Sequence, residues 1–89
     1  MYLAKVIGTV VSTSKDESLV GTKLLIVQKL NEKLEYIENS EIAVDTVGAG
    51  AGEVVIVAKG SSARCALCEK NMPVDASIIG IVDAVEVNV

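Results

Sequence analysis

The sequence contains no histidine, phenylalanine or tryptophan, and its only aromatic side chains are Tyr2 and Tyr36. Without histidine, general acid or base catalysis would depend on carboxylates or lysines. Surfaces that bind single-stranded nucleic acid usually stack bases on aromatic rings in a basic groove, whereas this chain carries a net charge of −4. The sequence therefore argues against nucleic acid and anionic membranes as partners.

Long apolar runs are also missing. The longest cover residues 24–27 and 54–58, far short of the roughly 18 to 20 residues that a transmembrane helix needs. The first residues do not show a basic segment followed by an apolar core and a cleavage site, as a secretory signal would. We therefore expect a soluble protein that stays in the cytoplasm.

Aliphatic residues are abundant: 51% of the 89 residues are hydrophobic and the mean hydropathy is +0.49. We interpret residues 1–89 as one small domain, and a chain of this length has a limited interior. The excess of aliphatic side chains predicts that part of this surface is buried between the subunits of a homo-oligomer.

The most distinctive stretch is a glycine-rich loop, residues 48–52, between two strand-like segments. A dinucleotide-binding fingerprint would need glycine where Glu53 stands, and a helix where the β-branched residues 54–57 follow. The sequence contains no G-x-x-x-x-G-K-[ST] motif for phosphate either. We therefore interpret the loop as a tight strand-to-strand connection against which another backbone can pack closely.

The rest of the chain reads mainly as strands. Five segments are rich in β-branched residues, at residues 2–13, 22–30, 42–47, 54–58 and 78–89. Gly8 predicts a bend or bulge in the first strand, and the polar residues 31–39 predict a surface arm. In the last strand, valines alternate with Glu86 and Asn88, which predicts one buried face. Ser61 and Ser62 offer an N-cap for a helix over residues 63–70.

Five short strands and one short helix between strands four and five predict an all-β fold, a small OB-like closed barrel. This fold alone does not define a function. An OB-like module that binds a small molecule or an oligonucleotide is therefore one alternative.

Cys65 and Cys68 form the only C-x-x-C pair. A structural zinc needs four ligands, and with no histidine and no other cysteine these could come only from two chains. We interpret the pair as reduced apolar side chains and predict no metal and no cofactor; a thiol or metal protein is the second alternative.

Three aspartates interrupt apolar segments, Asp45, Asp75 and Asp83. We expect such side chains to cap turns or to pair with Arg64, the only arginine. No arrangement of nucleophile and base stands out, so we predict no catalytic residues and no enzyme.

Several motifs in order resemble one known family, the vertex proteins of bacterial microcompartments, which includes the carboxysome and ethanolamine-utilisation vertex proteins. The motifs are LAKVIGTVVST at 3–13, LVGTKLL at 19–25, DTVGAGAGE at 45–53, GSSAR at 60–64, PVDA at 73–76 and IGIVD at 79–83. The resemblance extends over the whole chain except residues 31–39 and 65–71. It implies an OB-like barrel that forms a homopentamer and caps the vertices of a shell built with hexameric shell proteins.

The resemblance also implies a non-enzymatic role carried by interfaces, with a closed head-to-tail ring. We expect the glycine loop to let five backbones converge near the ring axis. The candidates for subunit-interface or pore residues are Gly48, Ala49, Gly50, Ala51, Gly52, Ser61, Ser62, Arg64 and Asp75.

Overall fold

The computed structural model describes residues 1–13, 15–61, 63 and 73–88. Its elements are β1 (Tyr2–Val10), a 3-10 turn (Glu17–Leu19), β2 (Lys23–Leu30), β3 (Tyr36–Asp45), β4 (Val54–Lys59) and β5 (Ala76–Ile81). The strands close into a barrel in the order β1-β2-β3-β5-β4. All neighbouring pairs are antiparallel except β3 and β5, which run parallel and pair only at Val44 and Asp45. The predicted all-β closed barrel is confirmed.

Alternating residues of the strands fill the barrel. This follows from the period of two along a strand, which sends every second side chain to the same face. The core is made of small and β-branched residues: Ala4, Val6, Leu25, Val27, Ala43, Ala49, Val55, Val57, Ala76 and Ile78. The interior is narrow enough to be filled by these side chains without large aromatic ones.

A second, smaller cluster lies on the outside of β2 and β3. Val44 is buried there with Ala63 and Val74, and Leu19 and Leu24 pack against them. Ala63 and Val74 stand on either side of residues 64–72, which are outside the described part of the chain. The predicted helix over residues 63–70 therefore lies outside the described residues except for Ala63.

The predicted bulge in β1 is confirmed, since the register of β1 against β2 shifts between Val6 and Gly8. A Cβ on Gly8 would lie 3.3 Å from Cδ1 of Ile26 on the neighbouring strand. The bulge brings β1 close to the outward-facing Ile26, and a side chain at Gly8 would crowd it.

Three predicted boundaries are wrong by three residues or more. β1 ends at Val10 rather than residue 13, and β3 begins at Tyr36, inside the predicted surface arm, because its polar half still pairs with β2. β5 ends at Ile81, so residues 82–88 form no strand. The predicted buried face of this last segment is also wrong, since Val87 is 50% exposed.

Candidate functional site

The glycine loop is shaped by the aspartate that ends β3. The carboxylate of Asp45 accepts hydrogen bonds from the backbone N–H groups of Val47, Gly48 and Ala49, at 3.0, 3.1 and 2.9 Å. Gly48 and Gly52 have φ of +81° and +86°, values that favour glycine because a Cβ would clash with the backbone. The expectation that Asp45 caps a turn is confirmed.

This loop closes one end of the barrel. Ala49 is fully buried and belongs to the core, and Lys23 Nζ donates to the carbonyl of Ala49 at 2.7 Å. The N–H of Gly52 donates to the carbonyl of Val6 at 2.8 Å, and the N–H of Gly50 donates to the Glu53 carboxylate at 2.6 Å. We predicted that another backbone packs closely against the glycine loop. Part of this packing occurs within the subunit, because the loop contacts β1 of its own barrel.

The outer side of the loop stays open. Gly48, Ala51 and Gly52 are exposed and Gly50 is half-buried, whereas Ala49 points inward. Four of the five loop candidates therefore retain surface that another subunit can contact, and Ala49 has a core role.

The remaining candidates do not join the loop. Ser61 and Asp75 are exposed beyond the far end of β4, whose six residues separate them from the loop by about 17 Å at the usual rise per residue. Asp75 lies 3.6 Å from Lys59 Nζ, and its carbonyl accepts from the N–H of Gly60 at 2.8 Å. Ser62, Arg64, Cys65 and Cys68 lie outside the described residues.

A polar cluster that the sequence did not reveal covers this far end of the barrel. The Tyr2 hydroxyl donates to the Glu41 carboxylate, and Lys59 Nζ donates to the other oxygen of Glu41 at 2.7 Å. Burial, with the hydrogen bond to Glu41, raises the pKa of Tyr2 well above its ordinary value. The hydrogen bond with Glu41 also raises the pKa of Lys59. The cluster joins β1, β3 and β4 across the barrel mouth.

A groove of about 650 Å³ runs beside this cluster. Lys29 lies 5.1 Å from the centre of the Tyr2 ring and 3.4 Å from a carboxylate oxygen of Glu38. The two lysines of the groove, Lys29 and Lys59, are thus both paired with carboxylates. Among the described residues, no group of three histidine, cysteine, aspartate or glutamate side chains is placed to hold a metal ion.

The outer wall of the barrel carries exposed aliphatic side chains. Gly8, Ile26 and Ile42 lie in one row across β1, β2 and β3, on the face opposite the buried Leu25 and Ala43. Ile42 is 52% exposed. The other large exposed apolar residues include Ile7, Val11, Val20, Val47, Ile81 and Val87.

Within the residues that the structure describes, no helix is long and apolar enough to cross a membrane.

Comparison with known proteins identifies similar chains along the whole sequence. Residues 1–83 match the family described as "Ethanolamine utilisation protein EutN/carboxysome". The bacterial microcompartment shell vertex protein GrpN of Rhodospirillum rubrum is 60% identical over 86 residues, which cover 97% of each chain. The carboxysome shell vertex protein CcmL of Synechocystis is 53% identical over 87 residues, 98% of this chain and 87% of that protein.

Solved structures agree with the sequence comparison. The pentameric microcompartment shell protein GrpN from Rhodospirillum rubrum matches with a TM-score of 0.90 and 59% identity, over 99% of this chain and all of that one. The ethanolamine utilization protein EutN matches with a TM-score of 0.93 and 40% identity, over 98% of this chain and 91% of that one.

Proposed function

Because this chain belongs to the family of the ethanolamine utilisation protein EutN and the carboxysome protein CcmL, we propose that it is a structural shell protein. Five copies form a ring, and the ring occupies the vertices of a microcompartment shell in the bacterial cytoplasm, beside hexameric shell proteins. The observation that carries this proposal is the match to a pentameric shell protein over the full barrel.

The geometry of a shell explains why such a subunit is needed. Six-fold tiles alone pack into flat sheets, and five-fold units introduce the curvature that closes them. A five-fold ring joins each subunit head-to-tail to the next, so every subunit presents two different side surfaces. The exposed Ile42 on the outer wall supports this, because an isolated barrel leaves its side chain largely in water.

The open side of the glycine loop suits a place near the ring axis. Gly50 is the position that tests it, since a Cβ there would meet one oxygen of Glu53 at 3.4 Å, an ordinary contact. The Cβ of a Gly50→Leu variant is therefore accommodated by the subunit itself. A lower share of pentamer in this variant supports a subunit contact at the loop, whereas an unchanged pentamer contradicts it.

Ser61 and Asp75 at the other end of β4, with Ser62 and Arg64, are proposed as further ring contacts. Asp75→Asn removes the charge beside Lys59 without changing the shape of the side chain. If Asp75 contacts the next subunit, this variant weakens the ring, while the control Glu32→Gln, at an exposed carboxylate outside the proposed contacts, does not.

Native mass spectrometry in neutral, reducing buffer tests the ring directly. We expect one dominant species of five chains at micromolar concentration, because a closed ring leaves no unpaired interface. A monomer, or a stable assembly of another size, contradicts the proposal.

Co-expression with hexameric shell proteins of the same microcompartment tests the vertex role. We expect closed polyhedral particles when this chain is present and open sheets or tubes when it is omitted, as seen by electron microscopy. Equally closed particles without it contradict the vertex role while leaving the ring intact.

The proposal includes the absence of catalysis, since the role is carried by interfaces. The structure also weakens the OB-like nucleic-acid alternative, because the Tyr2 ring lies under Lys29 and its hydroxyl is held by Glu41. Tyr2 is therefore not free to stack on a base.

A further inference from the structure

The C-terminal segment has the sequence of a strand but no strand partner among the described residues of its own chain. Val85 and Val87 alternate with Glu86 and Asn88, as in a strand with one covered face. Val82 N–H still donates to the carbonyl of Val54 at 2.8 Å. Beyond it, residues 83–88 make no hydrogen bond to any described residue.

A free strand edge lies at the end of β1. β4 pairs with β1 only over Tyr2–Lys5, and Val6 bonds to Gly52 and Glu53. From Gly8 to Val10, β1 pairs with β2 on one side, and no described strand lies on the other. Such an edge accepts an added strand through its backbone groups.

The side chains at this edge are unusually apolar for a surface. Ile7 is 48% exposed and Val11 is 87% exposed. Residues 83–88, which reach about 20 Å when extended, are long enough to span residues 7–10 and to lay aliphatic side chains beside this apolar surface.

The C-terminal segment leaves the barrel at a strand that does not neighbour β1. The barrel order places β4 between β1 and β5, so the segment leaves β5 two strand spacings, about 10 Å, from β1. Donor and acceptor therefore lie at different places on one subunit. Copies that joined through them would connect head-to-tail, the arrangement that a closed ring requires.

We propose that residues 83–88 of one subunit add as a strand to the edge formed by residues 7–10 of the next subunit in the ring. This inference rests on the proposed pentamer. In it, the C-terminal segment and the edge of β1 form one of the contacts between neighbouring subunits. Strand addition pairs the open backbone groups of both partners and covers apolar side chains of the segment and of the edge.

Thiol cross-linking tests the contact. In a Cys65→Ser, Cys68→Ser background, Thr9→Cys and Val87→Cys are combined in one chain and treated with a short bismaleimide, which tolerates a shift in register. We expect a ladder of covalent species up to five chains on a denaturing gel. Val20→Cys replaces Val87→Cys in the matched control, because Val20 is exposed and lies outside both segments.

Hydrogen exchange provides a second measurement that needs no substitution. In the assembled protein we expect the amides of residues 84–88 to exchange on the order of 100-fold more slowly than in a free peptide of the same sequence. Val87→Asp should remove this protection and lower the share of pentamer, whereas Val20→Asp should change neither.

The outcomes separate the two proposals. A pentamer with unprotected 84–88 amides and no ladder overturns the strand addition and leaves the ring standing. A linkage found only within single chains also overturns it. A wild-type protein that is monomeric overturns the ring, and the strand addition with it.

Discussion

Replacing Asp45 by alanine tests how the glycine loop is held in place. The carboxylate accepts three backbone hydrogen bonds, from Val47, Gly48 and Ala49. The first two donors belong to exposed residues, so water can replace the lost acceptor at small cost. Ala49 is fully buried, and its N–H would be left without the acceptor that closes the loop.

The expected cost follows from this difference. An unsatisfied buried donor costs about 1 to 3 kcal/mol, and a lost hydrogen bond to an exposed donor costs about 0.5 kcal/mol or less. We therefore expect Asp45→Ala to lower the free energy of unfolding by about 1 to 4 kcal/mol. Asp45→Asn should cost less, because its amide oxygen can still accept, although neutral hydrogen bonds have roughly half the strength of charged ones.

Urea unfolding followed by circular dichroism measures both variants. All samples need the same subunit concentration, because oligomerisation makes apparent stability depend on concentration. Glu32→Ala is the matched control, since Glu32 is an exposed carboxylate with no hydrogen bond to a described residue. If Asp45→Ala lies within about 0.5 kcal/mol of Glu32→Ala, the usual range for surface substitutions, the carboxylate does not hold the loop.

Three further changes have defined outcomes. Gly52→Ala should lower the free energy of unfolding by about 1 to 2 kcal/mol, because the φ angle of Gly52 is +86°. Gly50→Ala is the control in the same urea titration and should be nearly neutral, because the φ angle of Gly50 is not positive. Ser77→Ala should cost about 1 to 3 kcal/mol, since the buried hydroxyl donates to the Ala63 carbonyl at 2.9 Å; a neutral result contradicts this bond. The raised pKa of Tyr2 keeps its phenol protonated in the fold, so wild-type stability should fall above about pH 10, where the unfolded chain ionises, and Tyr2→Phe should flatten that fall.

The sequence was sufficient to predict the barrel because its strands carry strong local signals. Val55 and Val57 alternate with half-buried residues, and the glycines around Ala49 cannot continue a regular strand. The register bulge at Gly8 was likewise visible as a glycine inside a β-branched run. Each of these features depends on residues that are close together in the sequence, so a local pattern is enough to predict it.

The polar cluster at the barrel mouth depends on contacts between distant residues. Tyr2 and Glu41 are 39 residues apart, and nothing in either neighbourhood indicates that they meet. One signal was available for Glu41: it stands two residues before the buried Ala43, and so shares the inward face of β3. With that period applied, a carboxylate pointing toward the barrel mouth could have been predicted, though not its partners.

Residues 82–88 show a different limit of prediction from sequence. The alternation of Val85 and Val87 with polar residues is typical of a strand with one covered face. The pattern does not indicate which chain covers that face. We read it as a strand of the barrel, whereas β5 ends at Ile81. A strand pattern outside the barrel is what a segment that pairs with another subunit would carry, because the same period of two applies to pairing between chains.

The two closed ends of the barrel restrict where recognition can occur. Ala49 fills one end from the glycine loop, and Tyr2 with Glu41 and Lys59 covers the other. The interior between them is packed with aliphatic side chains, so the barrel holds a core where larger barrels hold a ligand. The surface left for specific contact is the outside, where Ile42 and Val11 are exposed. Since exposed aliphatic groups are costly in water and favourable when covered, this distribution favours a protein that works by assembling with other chains.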